Sequence, residues 1–267
     1  MFAPLIATAA LAGGIATSTP TPAPVSPVTT LKYKVSLAIN SVVDLSVFGA
    51  GEQKTIVAMS GYFTMTLKDT TGGRALTAVL DSVHVDSASQ GQELIQAAVD
   101  SSKGSTWHGL VTPRGKIEGL TLATGGSGAR QFESVLAGFF PSGSAATRKK
   151  GETWVDTLSY TSTSDEGTSA ANVVTTYTAA GEGAYGTGKA LVLNTTSVTT
   201  SSSSQTGPQG EVAVEGAGRG VGTHYVAKDG TYLGGNSTLD SDLQITVTQA
   251  PAPFPGKLHT VITIASL

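Results

Sequence analysis

The sequence predicts a mainly β protein with one or two helices. Its core is a duplicated antiparallel β-meander forming a curved sheet, half-barrel or barrel, covered by an amphipathic helix. Three observations carry this reading. Apolar and polar residues alternate through most of the chain, the period of a half-buried strand. In LKYKVSLAI (31–39), for example, Leu31, Tyr33, Val35, Leu37 and Ile39 share one face. Charged residues are only 13% of the chain; Ser, Thr, Gly and Ala fill the gap, and Thr and Val favour a pleated, half-buried surface. Finally, a pattern returns at a constant offset of 115 residues: Gly73-Arg74-Ala75-Leu76 as Gly188-Lys189-Ala190-Leu191, and Val111, Gly115 and Gly119 as Val226, Gly230 and Gly234. Self-similarity at a fixed offset marks a repeated supersecondary unit.

Residues 1–16, MFAPLIATAALAGGIA, are apolar and small but have no basic residue in front. They read as an export signal or short anchor. A helix of that length rises about 24 Å, short of the roughly 30 Å hydrocarbon core, so export is the favoured reading. Residues 17–30 carry Pro20, Pro22, Pro24 and Pro27. Proline fixes φ and lacks a donor, which predicts an extended linker.

The first β repeat, 31–125, opens with LKYKVSLAI, KTIVAMSGYFTMTL and RALTAVLDSVHV. The last two are separated by the turn cluster KDTTGG, which predicts a three-stranded meander. QGQELIQAAVDSS places Leu94, Ile95, Ala98 and Val99 on one helical face. Two strands then flank Pro113-Arg114-Gly115. A connecting helix is predicted within 126–145, with Ser127 as N-cap, Pro141 as stop and an apolar stripe Phe132, Val135, Leu136, Phe139 and Phe140. The second β repeat and C-terminal strands, 146–267, complete one joint domain. In this copy the helical segment is replaced by SQTGPQGEVAVE, whose Gly and Pro oppose a helix.

The net charge of −3 gives no footprint for nucleic acid, and Arg148-Lys149-Lys150 reads as a solvated turn. The chain has no cysteine, which excludes disulfides, thiol catalysis and thiolate metal sites. GAYGTGKA (183–190) begins a phosphate-loop pattern but continues with Ala190 where a Ser or Thr is required. Its duplicate TTGGRAL marks it as a hairpin turn. His84 and Asp86 share a strand face without an evident third metal ligand. His108 and His224 fall at non-equivalent positions of the repeat. No cofactor, metal or catalytic residue is therefore expected. The candidate ligand- or partner-facing residues are Trp107, Phe132, Leu136, Phe139, Phe140 and Trp154; core anchoring is the competing role for each. In the second copy Gly222 stands where the first has Trp107.

FFPSGSAATRKKGETWVDTLSY, with the step Gly151-Glu152-Thr153-Trp154, and the later YTAAGEG and HYVAKDGTYLGG resemble a family of exported bacterial β-rich proteins of uncharacterised function. That family's pattern is an export signal, a β-meander, a helix ending near a proline, a G-[DE]-x-W step and a second β half. The resemblance spans roughly 31–250 and implies an extracytoplasmic location (periplasm or outer surface) without implying an activity. Many relatives carry a lipoprotein cysteine, which this chain lacks.

Together these features point to a non-catalytic extracytoplasmic binding or structural module of a bacterial envelope, for instance an accessory subunit of a larger complex. Its expected partner is an envelope protein, with peripheral membrane contact and no nucleic acid. The alternative is a carrier of a lipid or other apolar ligand in a β half-barrel. A hydrolase with an unrecognised site ranks third.

Overall fold

A computed structural model describes residues 28–267 except 90, 144–147, 165–166, 208–209, 249 and 251. The export-signal segment and the linker up to residue 27 lie outside the described residues. The strands are β1 (Val28–Asp44), β2 (Glu52–Thr70), β3 (Gly73–Ala88), β4 (Thr106–Val111), β5 (Ile117–Thr124), β6 (Thr153–Ser164), β7 (Gly167–Tyr185), β8 (Gly188–Gly207), β9 (Gly210–Val226), β10 (Tyr232–Val247) and β11 (Phe254–Ser266). The helices are α1 (Gln92–Asp100) and α2 (Glu133–Ala137), with 3-10 turns at Ser46–Phe48 and Ser127–Phe132.

The strands form one antiparallel sheet in the order β5-β4-β3-β2-β1-β11-β10-β9-β8-β7-β6. Each half is an up-and-down meander, and the halves join where β1 pairs with β11, as in Val35 with Ile264 and Leu37 with Ile262. The sheet curls into a half-barrel, with β5 and β6 as its free edges. Val28–Thr30 already belong to β1, so the extended linker ends earlier than the sequence suggested.

Strand bounds and turns repeat at the offset seen in the sequence. Both ends of β7 lie 115 residues after those of β2, and β10 starts 115 after β5. The hairpin apices agree in their hydrogen bonds. Thr112 N–H donates to Lys116 O at 2.9 Å and Gly115 N–H to Thr112 O at 2.8 Å; Ala227 N–H donates to Thr231 O at 2.8 Å and Gly230 N–H to Ala227 O at 2.9 Å. Gly115 and Gly230 sit at φ +81° and +87°, where any residue with a Cβ is strained. The turn geometry thus accounts for the repeated glycine.

The core is lopsided. Tyr33, Phe63, Met65, Leu80 and Trp107, from the concave face of β1–β4, are fully or almost fully buried. They pack with Ala129, Phe132, Leu136 and Phe139 of the connecting segment. The aromatic contacts are close: Tyr33 to Phe139 at 5.0 Å edge-on and Phe63 to Phe132 at 6.1 Å between ring centroids. The sequence predicted one continuous helix over this stripe. The structure instead has a 3-10 turn, five residues of α-helix, and Phe139-Phe140 beyond it. Gly128 and Gly138 weaken a regular helix here, and the tighter turn still buries Ala129 and Phe132 on one side. The turn is preceded by Gly126 as its N-cap, rather than capped by Ser127.

Candidate functional site

The connecting segment covers only part of the concave face. Beside it a trough of about 330 Å³ runs over β6–β11, lined from above by Val135, Phe139 and Phe140. On the other side of Val135 and Ile262 lies a smaller apolar groove of about 180 Å³, lined by Leu37, Ile39, Met59 and Phe132. Strand register explains the composition of the floor. One cross-strand row runs Trp154, Tyr177, Thr195, Gly222, Ser237, Ile262, Leu37, Met59, from β6 to β2. The next runs Asp156, Thr175, Ser197, Gly220, Leu239, Thr260, Ile39. The first row turns aliphatic at β11, with Ile262, Leu37 and Met59, whereas the second passes from the small Ser197 and Gly220 to Leu239, Thr260 and Ile39.

The repeat shows why the trough exists. At the offset of 115, Leu80, Trp107 and Leu122 of the first half correspond to Thr195, Gly222 and Ser237 of the second. Trp107 opposes Leu122 across β4 and β5, as Gly222 opposes Ser237 across β9 and β10. In the first copy these positions fill the concavity with core. In the second they leave it open. A Cβ on Gly222 would lie 2.7 Å from Thr195 Oγ1 and 2.8 Å from Ser237 Oγ, so these hydroxyls occupy the space above the glycine.

The predicted ligand- or partner-facing residues divide accordingly. Phe139 and Phe140 line the trough and Phe132 the smaller groove. Trp107 and Leu136 are 0% exposed and take the core-anchoring role; a ring packed against Phe63 and the connecting segment has no face left for a ligand. Trp154 is half-buried and fastens the chain across the β6 edge. Its indole stacks on Tyr177 at 5.2 Å, its N–H donates to Ser142 O at 2.8 Å, and the Arg148 guanidinium lies 4.7 Å from the ring. Arg148 is therefore not part of a simply solvated basic turn, whereas Lys149 and Lys150 are exposed.

The structure does not bring the four histidines together. His84, His108 and His259 are exposed on β3, β4 and β11; His108 Nδ1 lies 3.2 Å from Thr77 Oγ1, and His259 Nδ1 2.6 Å from Asp240 Oδ1. Asp86 accepts a hydrogen bond from Ser60 at 3.1 Å. Among the described residues, no group of three His, Cys, Asp or Glu is placed to hold a metal ion. His224 lines the trough, 3.0 Å from Tyr232 Oη, and burial pushes its pKa down to about 4. Burial likewise raises the phenols of Tyr33, Tyr177 and Tyr232. Of these groups His224 and Tyr177 line the trough, a neutral imidazole and a neutral phenol at ordinary pH. Sequence reasoning missed Thr195, Ser197, Ser237, Leu37 and Met59; the available signal was Gly222 standing where its copy has a tryptophan.

No protein-family model matches the chain, and no curated protein is found similar to it. Among solved structures, OccAB4 of Acinetobacter baumannii aligns at 8% identity and TM-score 0.25, over 92% of this chain and 100% of that one. A loop-deletion mutant of OmpT, an outer membrane protein of Vibrio cholerae, aligns at 10% identity and TM-score 0.17, over 90% of this chain and 99% of that one. Likenesses this slight carry no argument about the role of the chain.

Proposed function

We propose that the protein is a non-catalytic, extracytoplasmic binding module of a bacterial envelope that holds a ligand with an apolar chain in the trough and adjoining groove of its half-barrel. The observation carrying this is the unfilled concave face beside α2. There Leu37, Ile39, Met59 and Ile262 are only half-buried, although they face the same side as the packed core. Half-buried aliphatic side chains lining a concave groove are the ordinary make-up of a small-molecule site. Export is supported by the apolar, small-residue stretch at 1–16 and the proline-rich stretch after it.

The test is purification from the native envelope, followed by mass spectrometry of the organic extract. A lipid at about one per chain is expected, and Leu37→Glu is expected to abolish it because a carboxylate in the groove lacks a partner. An extract with no bound amphiphile, from protein with wild-type melting, overturns the reading.

A protein partner is the second reading. It is favoured by the convex face, where Val155 and Val221 are 63% and 60% exposed and exposed Val174 pairs directly with exposed Val198. Co-purification of a stoichiometric protein that is lost in Val198→Asp supports it.

A further inference from the structure

The polar wall of the trough specifies the kind of ligand, on the premise that the trough binds an amphiphile at all. Thr175, Thr195, Ser197 and Ser237 line it. None of these four hydroxyls makes a side-chain hydrogen bond among the described residues. Thr195 is only 8% exposed, so water reaches it from the trough alone. A ligand hydroxyl that displaces this water can hydrogen-bond Thr195 Oγ1 in its place. The charged residues lining the trough are Lys116 and Asp156. Lys116 Nζ already donates to Thr157 O at 3.2 Å, and Asp156 repels an anion while accepting hydrogen bonds from vicinal hydroxyls. His224 adds no positive charge at neutral pH.

We propose that the trough takes a single-chain amphiphile whose head is an uncharged polyol or sugar. The head lies over Thr195, Ser197 and Ser237, whose hydroxyls fill the space above Gly220 and Gly222. The chain runs across β11 and β1 toward Leu37 and Met59. From β8 to β2 this path crosses five strand spacings, about 24 Å along the sheet. The direction follows from the first row, whose residues are aliphatic from β11 onward, at Ile262, Leu37 and Met59.

The proposal is tested with the full chain by calorimetric titration of three probes of equal chain length, below their micellar concentrations: dodecyl maltoside, dodecyl phosphate and dodecanol. Maltoside is expected to bind at least about tenfold tighter than phosphate, since an unpaired buried polar group or a repelled charge discriminates at that level. Thr195→Val is expected to weaken maltoside binding about five- to tenfold and leave dodecanol unchanged, while Thr195→Ser keeps wild-type affinity. Phosphate binding as tightly as maltoside, or no effect of Thr195→Val, overturns the head-group assignment and leaves the apolar trough standing. If none of the three probes binds, the trough reading falls and this inference with it. Should Thr195→Val fail to fold, the maltoside-to-phosphate ratio on the wild-type protein decides.

Discussion

At the scale of single residues, Gly222 determines whether there is a site. It occupies the position that Trp107 fills in the other half, and any side chain there meets Thr195 and Ser237 hydroxyls within 3 Å. Gly222→Ala is expected to displace both hydroxyls and reduce ligand binding about tenfold, at a stability cost of about 1–3 kcal/mol for overpacking; titration and thermal melting measure the two effects separately. His224 gives a pH signature. Its folded-state pKa is depressed from 6.5 to about 4, so between those values the unfolded chain binds more protons than the folded one. Stability is therefore complete above pH 6.5 and falls as the pH is lowered toward 4. Denaturation midpoints measured across this range are expected to decline, and in His224→Gln to decline less. The histidine was visible in the sequence, but its burial was not, because that depends on the connecting segment folding over β9 and β10.

At the scale of elements, the open edge of β6 is managed by side chains. Lys116 donates to Thr157 O at 3.2 Å and Arg130 to Thr163 O at 3.1 Å, while Tyr160 Oη donates to Glu133 at 3.0 Å. Edge carbonyls left bare are templates for pairing with another chain. The double variant Lys116→Ala, Arg130→Ala is expected to self-associate at concentrations where the wild type does not, as read by light scattering. The strands themselves were legible, since alternation places Tyr33, Val35 and Leu37 on one face and the structure keeps them there. The connecting segment was less so. Its apolar residues were identified, but their spacing fits both an α-helix and a 3-10 turn followed by a short helix. Packing of Phe132 on Phe63 and of Phe139 on Tyr33 selects the latter.

At the scale of the whole molecule, the junction of β1 with β11 makes one sheet from two meanders. Its partners are separated by most of the chain, and Leu267 N–H closes it on Lys32 O at 2.9 Å. Contacts between such distant residues are costly in loop entropy and slow to form. Truncation after residue 250 removes β11 and is expected to abolish cooperative unfolding, whereas removing residues 1–27 is expected to leave it intact; circular dichroism melts decide both. The sequence by itself determined the β class, the recurrence at an offset of 115, the turn glycines and the apolar face of each strand, because these follow from local periodicity and backbone sterics. Tertiary structure alone decided that the two copies are used differently. Filling or emptying the concave face depends on which side chains meet across strands far apart in sequence. Only that meeting turns Trp107 into core and leaves Gly222, Thr195 and Ser237 as the floor of a trough.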